Sequence, residues 1–302
     1  MKIDVVVVTY NRLEKLKHAL SCYEKQAEYI NNLIVVNNNS SDGTRDFLLD
    51  WRDKAGGCKK TVLNLESNIG GAGGFAAGQE QALKEGVDWV HVADDDAYID
   101  NNYFDRFTNF INNNNEKLCA VCSSVYNMDK TIDYAHRSFV KISKWTFHII
   151  QSTNADYSQN SFYIDLFSYV GTFLNANAMK KFGICDERFF IYADDSEHSM
   201  RLSQYGRIVC LPSLTIYHDS GEKTDKLISL MSWRDYYYAR NNILLIKKRS
   251  VMAAFHFSLS LLRNSLSKKD FRCNRLIFTA IINGWRGKRG IHSVYKPGYT
   301  IC

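Results

Sequence analysis

Proline is almost absent from this 302-residue chain: only Pro212 and Pro297 occur. With 13% aromatic residues beside so little proline, the composition is that of a packed protein and excludes a disordered or low-complexity one. Long apolar runs are missing as well. The best candidate, Val251–Leu262, is broken by His256, Ser258 and Ser260 and falls short of the roughly 18–20 apolar residues that span a bilayer. Met1-Lys2-Ile3-Asp4 runs straight into Val5–Val8, without the zones of a secretory signal. The eight cysteines lack the spacing of a disulfide framework. Cys119 and Cys122 form a C-x-x-C, but no second Cys or His pair completes a zinc site, so they read as core thiols. Free thiols predict a reducing, cytoplasmic setting.

What is present is unevenly distributed. From Gly221 to the end there are 16 Lys and Arg against 4 Asp and Glu, a net +12. Met1–Ser220 holds the remaining 22 basic and 28 acidic residues, a net −6. An acidic front unit (1–220) and a basic tail unit (221–302) suit different partners. Nucleic acid and anionic lipid both fit the tail's charge, but no nucleic-acid-binding signature occurs there. From about Leu227 onward Arg and Lys interleave with Phe, Leu, Ile and Trp in mainly helical segments. That pattern suits a helical cap and also an anionic membrane surface, and the charge excess favours the membrane.

The front unit alternates strand and helix signals. Ile3–Thr9 reads as a buried strand, and Arg12–Gln26 as a helix with Leu13, Leu16, Leu20 and Tyr23 on one face. Strands follow at Asn32–Val36, Thr61–Leu65 and Val87–Ala93, with helices over Thr44–Trp51 and from the Asn68–Phe75 glycine loop through Lys84. Nearly all-apolar strands alternating with helices predict a parallel sheet covered on both faces. Beyond it, Cys119–Ser168 reads as short strands and loops, Glu197–Leu202 as helix, and Ile208–Leu211 and Leu214–Tyr217 as two short strands. Ligands of such sheets bind at the carboxyl ends of the strands. Thr9-Tyr10-Asn11-Arg12, the polar Asn37–Gly43 segment, the glycine loop and Asp94-Asp95-Asp96 all fall there. Glycines between a strand and a helix let backbone N–H groups approach a phosphate or sugar. Three consecutive acids repel one another and need a cation, which a divalent ion bridging to phosphate supplies. A second acid cluster, Asp194-Asp195-Ser196-Glu197, follows the aromatic run Phe189–Tyr192. One of its aspartates suits a helix N-cap, and Arg201 can pair with Glu197 four residues before it.

In order along the chain, VVVVTYNR (Val5–Arg12), VVNNNSSDGT (Val35–Thr44), NIGGAGGFAAG (Asn68–Gly78), ADDDA (Ala93–Ala97), FFIYADDSEHSMRL (Phe189–Leu202), IYHD (Ile216–Asp219) and YYYARN (Tyr236–Asn241) resemble the inverting family-two glycosyltransferases of GT-A fold. Within that family the pattern looks most like the bacterial galactofuranosyltransferase branch, and rhamnosyltransferases share much of it. The resemblance implies a GT-A domain, a Rossmann-like, mostly parallel α/β sheet, followed by a helical C-terminal region. It implies Mn²⁺ or Mg²⁺ held by Asp94, Asp96 and His218, and Asp195 as the base that deprotonates the acceptor. It implies a donor pocket of Thr9, Tyr10, Arg12, Asn37, Asn38, Asn68, Gly70, Gly71, Gly73 and Gly74, with Asp95 at sugar or ribose. Asp194 and Glu197 would orient the base or grip hydroxyls. Relatives carry a carboxylate in the second motif where Asn37 and Asn38 stand here, so the base contacts differ. The implied function is transfer of a sugar, galactofuranose from UDP-galactofuranose or else rhamnose or another hexose, onto a lipid-diphosphate-linked acceptor of capsule or O-antigen type. The expected place is the inner face of the cell membrane, and a homo-oligomer is compatible with it. A non-catalytic scaffold of the same fold would not need the full acid set, and a nucleotidyltransferase would not need the Phe189–His198 segment.

Overall fold

A computed structural model describes residues 1–54, 57–221, 231–267 and 270–300. The chain begins β1 (Ile3–Thr9), α1 (Leu13–Glu24), β2 (Asn32–Asn37), α2 (Thr44–Asp53), β3 (Lys59–Asn64), α3 (Gly70–Lys84) and β4 (Trp89–Asp94). It continues β5 (Ala97–Ile99), α4 (Tyr103–Asn112), β6 (Leu118–Asn127), β7 (Arg137–Ile142), β8 (Phe147–Gln151), α5 (Asn154–Tyr157), β9 (Phe162–Ile164), β10 (Leu166–Phe167) and β11 (Thr172–Asn175). Then come α6 (Ala176–Phe182), α7 (Asp194–Leu202), β12 (Arg207–His218), α8 (Trp233–Lys247), α9 (Val251–Ser267) and α10 (Phe271–Trp285).

The main sheet runs in the order β3-β2-β1-β4-β11-β6-β12-β5, with β9 also on β12. Strands β3, β2, β1 and β4 are parallel, as their alternation with helices predicts, and all seven residues of β1 are buried. The second half departs from that pattern: β11 is antiparallel to β4 and β6, and β5 and β9 are antiparallel to β12. Register decides where the chemistry lies. Thr9 pairs with Asn37 and Val8 with Asp94, so the carboxyl ends of β1, β2 and β4 share one edge. At the other end of the sheet His218 of β12 pairs with Ala97 of β5, beside Asp96.

Three expectations change. Cys119–Ser168 opens with the ten-residue β6 in the sheet interior, because Cys119, Cys122, Ser123 and Ser124 are small enough to be buried among apolar neighbours. The two short strands at Ile208–Leu211 and Leu214–Tyr217 are one strand, β12, with a register shift between Leu211 and Thr215. Pro212 has no N–H for the ladder, so a bulge accommodates it there. The glycine loop is helix: α3 starts at Gly70, and a Cβ on Gly74 or Gly78 would stand 2.6 or 2.2 Å from a methyl of Val8 or Val6. Cys119 and Cys122 are free and buried, as core thiols should be. Leu227, given above as the start of the helical tail, lies outside the described residues. Helices α8, α9 and α10 pack together around Tyr236, Tyr237, Leu276 and Ile277, a core that also includes Phe190.

Candidate active site

A cleft of about 340 Å³ opens at the shared edge of β1, β2 and β4. Thr9, Tyr10, Arg12, Asn38, Asn68, Gly70, Gly71, Asp94 and Asp95 of the predicted set line it. Asp95 is buried and turned inward: Thr9 Oγ1 donates to its Oδ2 at 2.7 Å, and the Tyr10 N–H at 3.3 Å. Arg12 donates to Asp95 Oδ1 at 3.3 Å and to Asp96 Oδ2 at 2.5 Å. The triplet is thus gripped by a guanidinium whose side chain remains half exposed to the cleft.

Asn38 is used at both ends of its amide. Its Nδ2 donates to the Gly70 carbonyl at 3.0 Å and its Oδ1 accepts from the Ile69 N–H at 2.9 Å. A carboxylate could make only the second bond, which is a physical reason for an amide here. Asn68 Oδ1 accepts from Gly70 N–H at 2.8 Å. Gly70 stands at φ +79°, and a Cβ there would lie 2.1 Å from the Phe190 carbonyl oxygen, so only glycine fits. Gly71 faces open space. Three predicted residues stand elsewhere. Asn37 is buried, donating to Asn64 Oδ1 at 2.8 Å and accepting from Ser40 N–H at 2.9 Å. Gly73 packs on Ile69 and Gly74 on Val8. The helix needs them for close approach to its neighbours.

Asp94, Asp96 and His218 offer ligand atoms that all lie within 4.8 Å of one another. His218 Nε2 is 3.3 Å from Asp96 Oδ1, an oxygen that is buried and has no hydrogen-bond donor. Two carboxylates and an imidazole suit a hard or borderline divalent cation, and that orphaned oxygen is what such an ion would satisfy. Burial, reinforced by the charge of Asp96, raises the Asp94 carboxyl to about 7. Burial alone would raise Asp96 too, but the His218 imidazole 3.3 Å away and the Arg12 charge hold it below the ordinary range. The set could therefore hold a metal ion.

The second acid cluster opens α7. Asp194 is buried, and burial followed by the charge of Asp195 keeps its pKa well above the usual carboxylate range. Asp94 adds to that shift, so the two acid clusters feel each other. Asp195, more open, accepts from the Ser196 N–H at 2.6 Å, and burial raises it as well, with the Arg137 charge opposing. Glu197 is apart from the cleft. Burial would raise its pKa, but Arg201 at 2.9 Å and Lys248 at 2.9 Å hold it down, so the predicted Arg201 pairing exists. His198 is a core residue, hydrogen-bonded to the Tyr169 hydroxyl at 2.8 Å.

The Glycosyl transferase family 2 model matches residues 4–174. The chain belongs to glycosyltransferase family 2. A galactofuranosyltransferase, GlfT1 of Mycobacterium tuberculosis H37Rv, is 38% identical to this glycosyltransferase over 32% of the chain and 31% of its own length. The dTDP-rhamnosyl transferase RfbF of Shigella flexneri is 25% identical over 82% of the chain and 81% of its own. Among solved structures, S. aureus TarS 1-349 with UDP-GlcNAc superposes with a TM-score of 0.58 at 17% identity, covering 94% of this chain and 81% of that one. The mannosyltransferase PcManGT of Pyrobaculum calidifontis, in complex with GDP-Man and Mn²⁺, does so with a TM-score of 0.55 at 14% identity, over 94% and 75%. These neighbours establish the GT-A fold of this glycosyltransferase.

Several lining residues of the glycosyltransferase cleft escaped the sequence reading. Phe190 and Ile191 enter it from the loop before α7, Trp233 and Arg234 from the first turn of α8, and Pro297 from the chain end. Their motifs were visible as FFIY and as the residues before YYYARN, but which side they face is a property of the fold.

Proposed function

We propose that this glycosyltransferase moves a sugar from a nucleotide donor to an acceptor hydroxyl by a metal-dependent, inverting, single displacement. The observation that carries the reading is the group of Asp94, Asp96 and His218, with ligand atoms within 4.8 Å of one another, beside a cleft lined by Asp94, Asp95 and the predicted donor residues. Asp94, Asp96 and His218 would hold Mn²⁺ or Mg²⁺. Such an ion, when bound, supplies positive charge against the departing diphosphate. Thr9, Tyr10, Arg12, Asn38, Asn68, Gly70 and Gly71 bind the nucleotide sugar, joined by Trp233 and Arg234. Asp195 takes the proton of the acceptor hydroxyl as that oxygen bonds to the anomeric carbon and the carbon–diphosphate bond breaks. Asp194, held neutral by its surroundings, orients its neighbour.

The donor we favour is UDP-galactofuranose and the acceptor a bacterial surface glycan on a lipid diphosphate; the local identity to GlfT1 supports the sugar. A rhamnosyl donor is the second reading, favoured by the match to RfbF over most of both chains. The tail supports work at the cytoplasmic side of a membrane. Among the described residues no helix is long and apolar enough to cross one. Yet Leu259, Leu266, Phe271 and Phe278 of α9 and α10 are exposed, Phe271 to 79%, beside exposed Arg263 and Arg275. Apolar groups among cations suit an anionic interface.

A panel of nucleotide sugars, each with Mn²⁺, Mg²⁺ or EDTA and scored by nucleoside diphosphate release, tests the proposal. Turnover with one furanosyl or rhamnosyl donor, lost in chelator and restored by metal, is expected. Full activity in EDTA would remove the assigned role of Asp94, Asp96 and His218.

A further inference from the structure

We propose that Asn241, on the tail helix α8, is a positioning residue that sets the place of Asp195 by clamping the backbone of the loop before it. The inference rests on the assignment of Asp195 as the base. That loop is strained. Phe190, Tyr192 and Ala193 stand at φ +68°, +66° and +60°, a left-handed region that L residues with side chains rarely enter. Around Phe190 the Ile191 N–H donates to the Phe189 carbonyl at 2.9 Å, a γ-turn of the rarer, positive-φ kind. Such a segment persists only where its surroundings over-determine it.

The surroundings that do so belong to the tail. Asn241 is fully buried, and its Nδ2 lies 3.0, 2.8 and 2.9 Å from the carbonyl oxygens of Phe189, Ile191 and Tyr192. Its Oδ1 accepts from Arg240 Nε at 2.8 Å, and Arg240 Nη2 donates to the Phe189 carbonyl at 3.1 Å. Tyr237, one turn earlier on α8, packs its ring 4.9 Å from that of Phe190. The third acceptor, Tyr192, is three residues before Asp195, with Ala193 as the N-cap of α7 between them. On the other side the Phe190 carbonyl accepts from Ala72 N–H at 3.2 Å, tying the same loop to the first turn of α3. One amide thus holds the three carbonyls that determine how α7, and with it Asp195, enters the site. Arg137 is another buried cation, but its hydrogen bonds go to Ser123, His136, Ser168, Val170 and Gly171.

The test is a double-mutant cycle on the full chain with Asn241→Ala and Asp195→Asn, read by kcat, donor KM and the affinity for UDP with Mn²⁺. Asn241→Ala is expected to lower kcat by about 10–100-fold, the scale of a misplaced catalytic group, with KM and UDP affinity within about threefold of wild type. In the Asp195→Asn background the same change should alter kcat less than about twofold, because groups acting as one unit are non-additive. Asn241→Ser, which keeps one donor, should fall between, and it serves in the cycle if the alanine variant does not fold. An equal loss in both backgrounds, or a loss carried by KM or UDP affinity, overturns the proposal. A wild-type kcat for Asn241→Ala beside a crippled Asp195→Asn overturns the proposal alone. A wild-type kcat for Asp195→Asn overturns the base assignment and the proposal with it.

Discussion

Asp194 and Asp195 share a sequence context and differ in surroundings, and the difference supports the separate roles proposed for them. Asp194 is the more deeply buried, and burial followed by the charge of Asp195 holds its pKa well above the usual carboxylate range. Asparagine mimics a neutral carboxyl well, so Asp194→Asn should cost less than about tenfold in kcat. Asp195→Asn, which removes the proposed proton acceptor and keeps the shape, should cost roughly 10²–10⁴-fold, the usual worth of a positioned base. Steady-state rates of the two variants decide it, and reversed magnitudes would exchange the roles. Asn38 makes a similar point at the donor side. Asn38→Asp keeps the bond from Ile69 N–H, loses the one to the Gly70 carbonyl and brings a charge against that oxygen. It should lower stability by about 1–3 kcal/mol, the cost of a buried polar atom left without its partner. Denaturant unfolding reads the loss, and UDP binding should weaken with it, since both bonds shape the cleft floor.

Helix α3 has two glycine faces with opposite demands. Gly78 meets β1 and β2, where a Cβ would lie 2.2 Å from a Val6 methyl and 3.2 Å from one of Val36. Gly78→Ala forces the helix off the sheet and should destabilise by about 1–3 kcal/mol through overpacking. Gly71 faces the cleft with nothing within 4 Å. Gly71→Ala should leave unfolding unchanged or improve it by up to about 1 kcal/mol, because alanine is the better helix former. The same methyl narrows the cleft, so the expected signature is intact stability with weaker donor binding. Thermal melts and UDP titration on both variants separate packing glycines from site glycines.

At the scale of the whole molecule, acid stability is set by buried groups on both sides of the sheet. Burial lowers His91 and His198 to about 3, while an unfolded histidine titrates near 6.5. Between those values the unfolded chain holds two more protons, so these residues withdraw stability as pH falls, by about 1.4 kcal/mol per pH unit each. Asp4 and Asp95, raised by burial to about 6, act in reverse: the folded state binds their protons first, which adds stability as pH falls from 6 to 4. Asp94, raised to about 7, and Asp194, raised well above the usual range, add to the carboxyl side, so Tm in EDTA should hold or rise as pH falls from 6 to 4. Below 4 only the histidine loss remains, joined by Asp186 and Glu197, whose depressed pKa values make their contribution vanish on protonation. His91→Phe, set among Tyr23, Tyr103, Phe104 and Phe173, should flatten the fall below pH 4; an unchanged slope would exclude His91 as a source. The tail makes the other prediction at this scale. Phe271→Ser with Phe278→Ser should abolish binding to vesicles containing anionic lipid while the melting temperature stays within a few degrees. Binding that persists, or that ignores lipid charge and salt, would leave the tail a cap only.

The strands β1 to β4, the helices between them and the acid triplet at the sheet edge were legible from the chain alone. Their signals are local: continuous apolar runs, helical spacing and like charges that need a cation. The family followed from the order of such motifs. What the linear pattern could not carry is pairing. Only the registers Val8–Asp94, Thr9–Asn37 and Ala97–His218 bring Asp94, Asp96 and His218 within 4.8 Å. Hydrogen-bond partners separate Asn38 from Asn37, and packing separates Gly71 from Gly74, neighbours of the same type whose surroundings differ. The grip of Asn241 on the loop of Asp195 spans about fifty residues of sequence. A short polar contact between distant segments has no periodicity to betray it, and it exists only once the tail has folded onto the sheet.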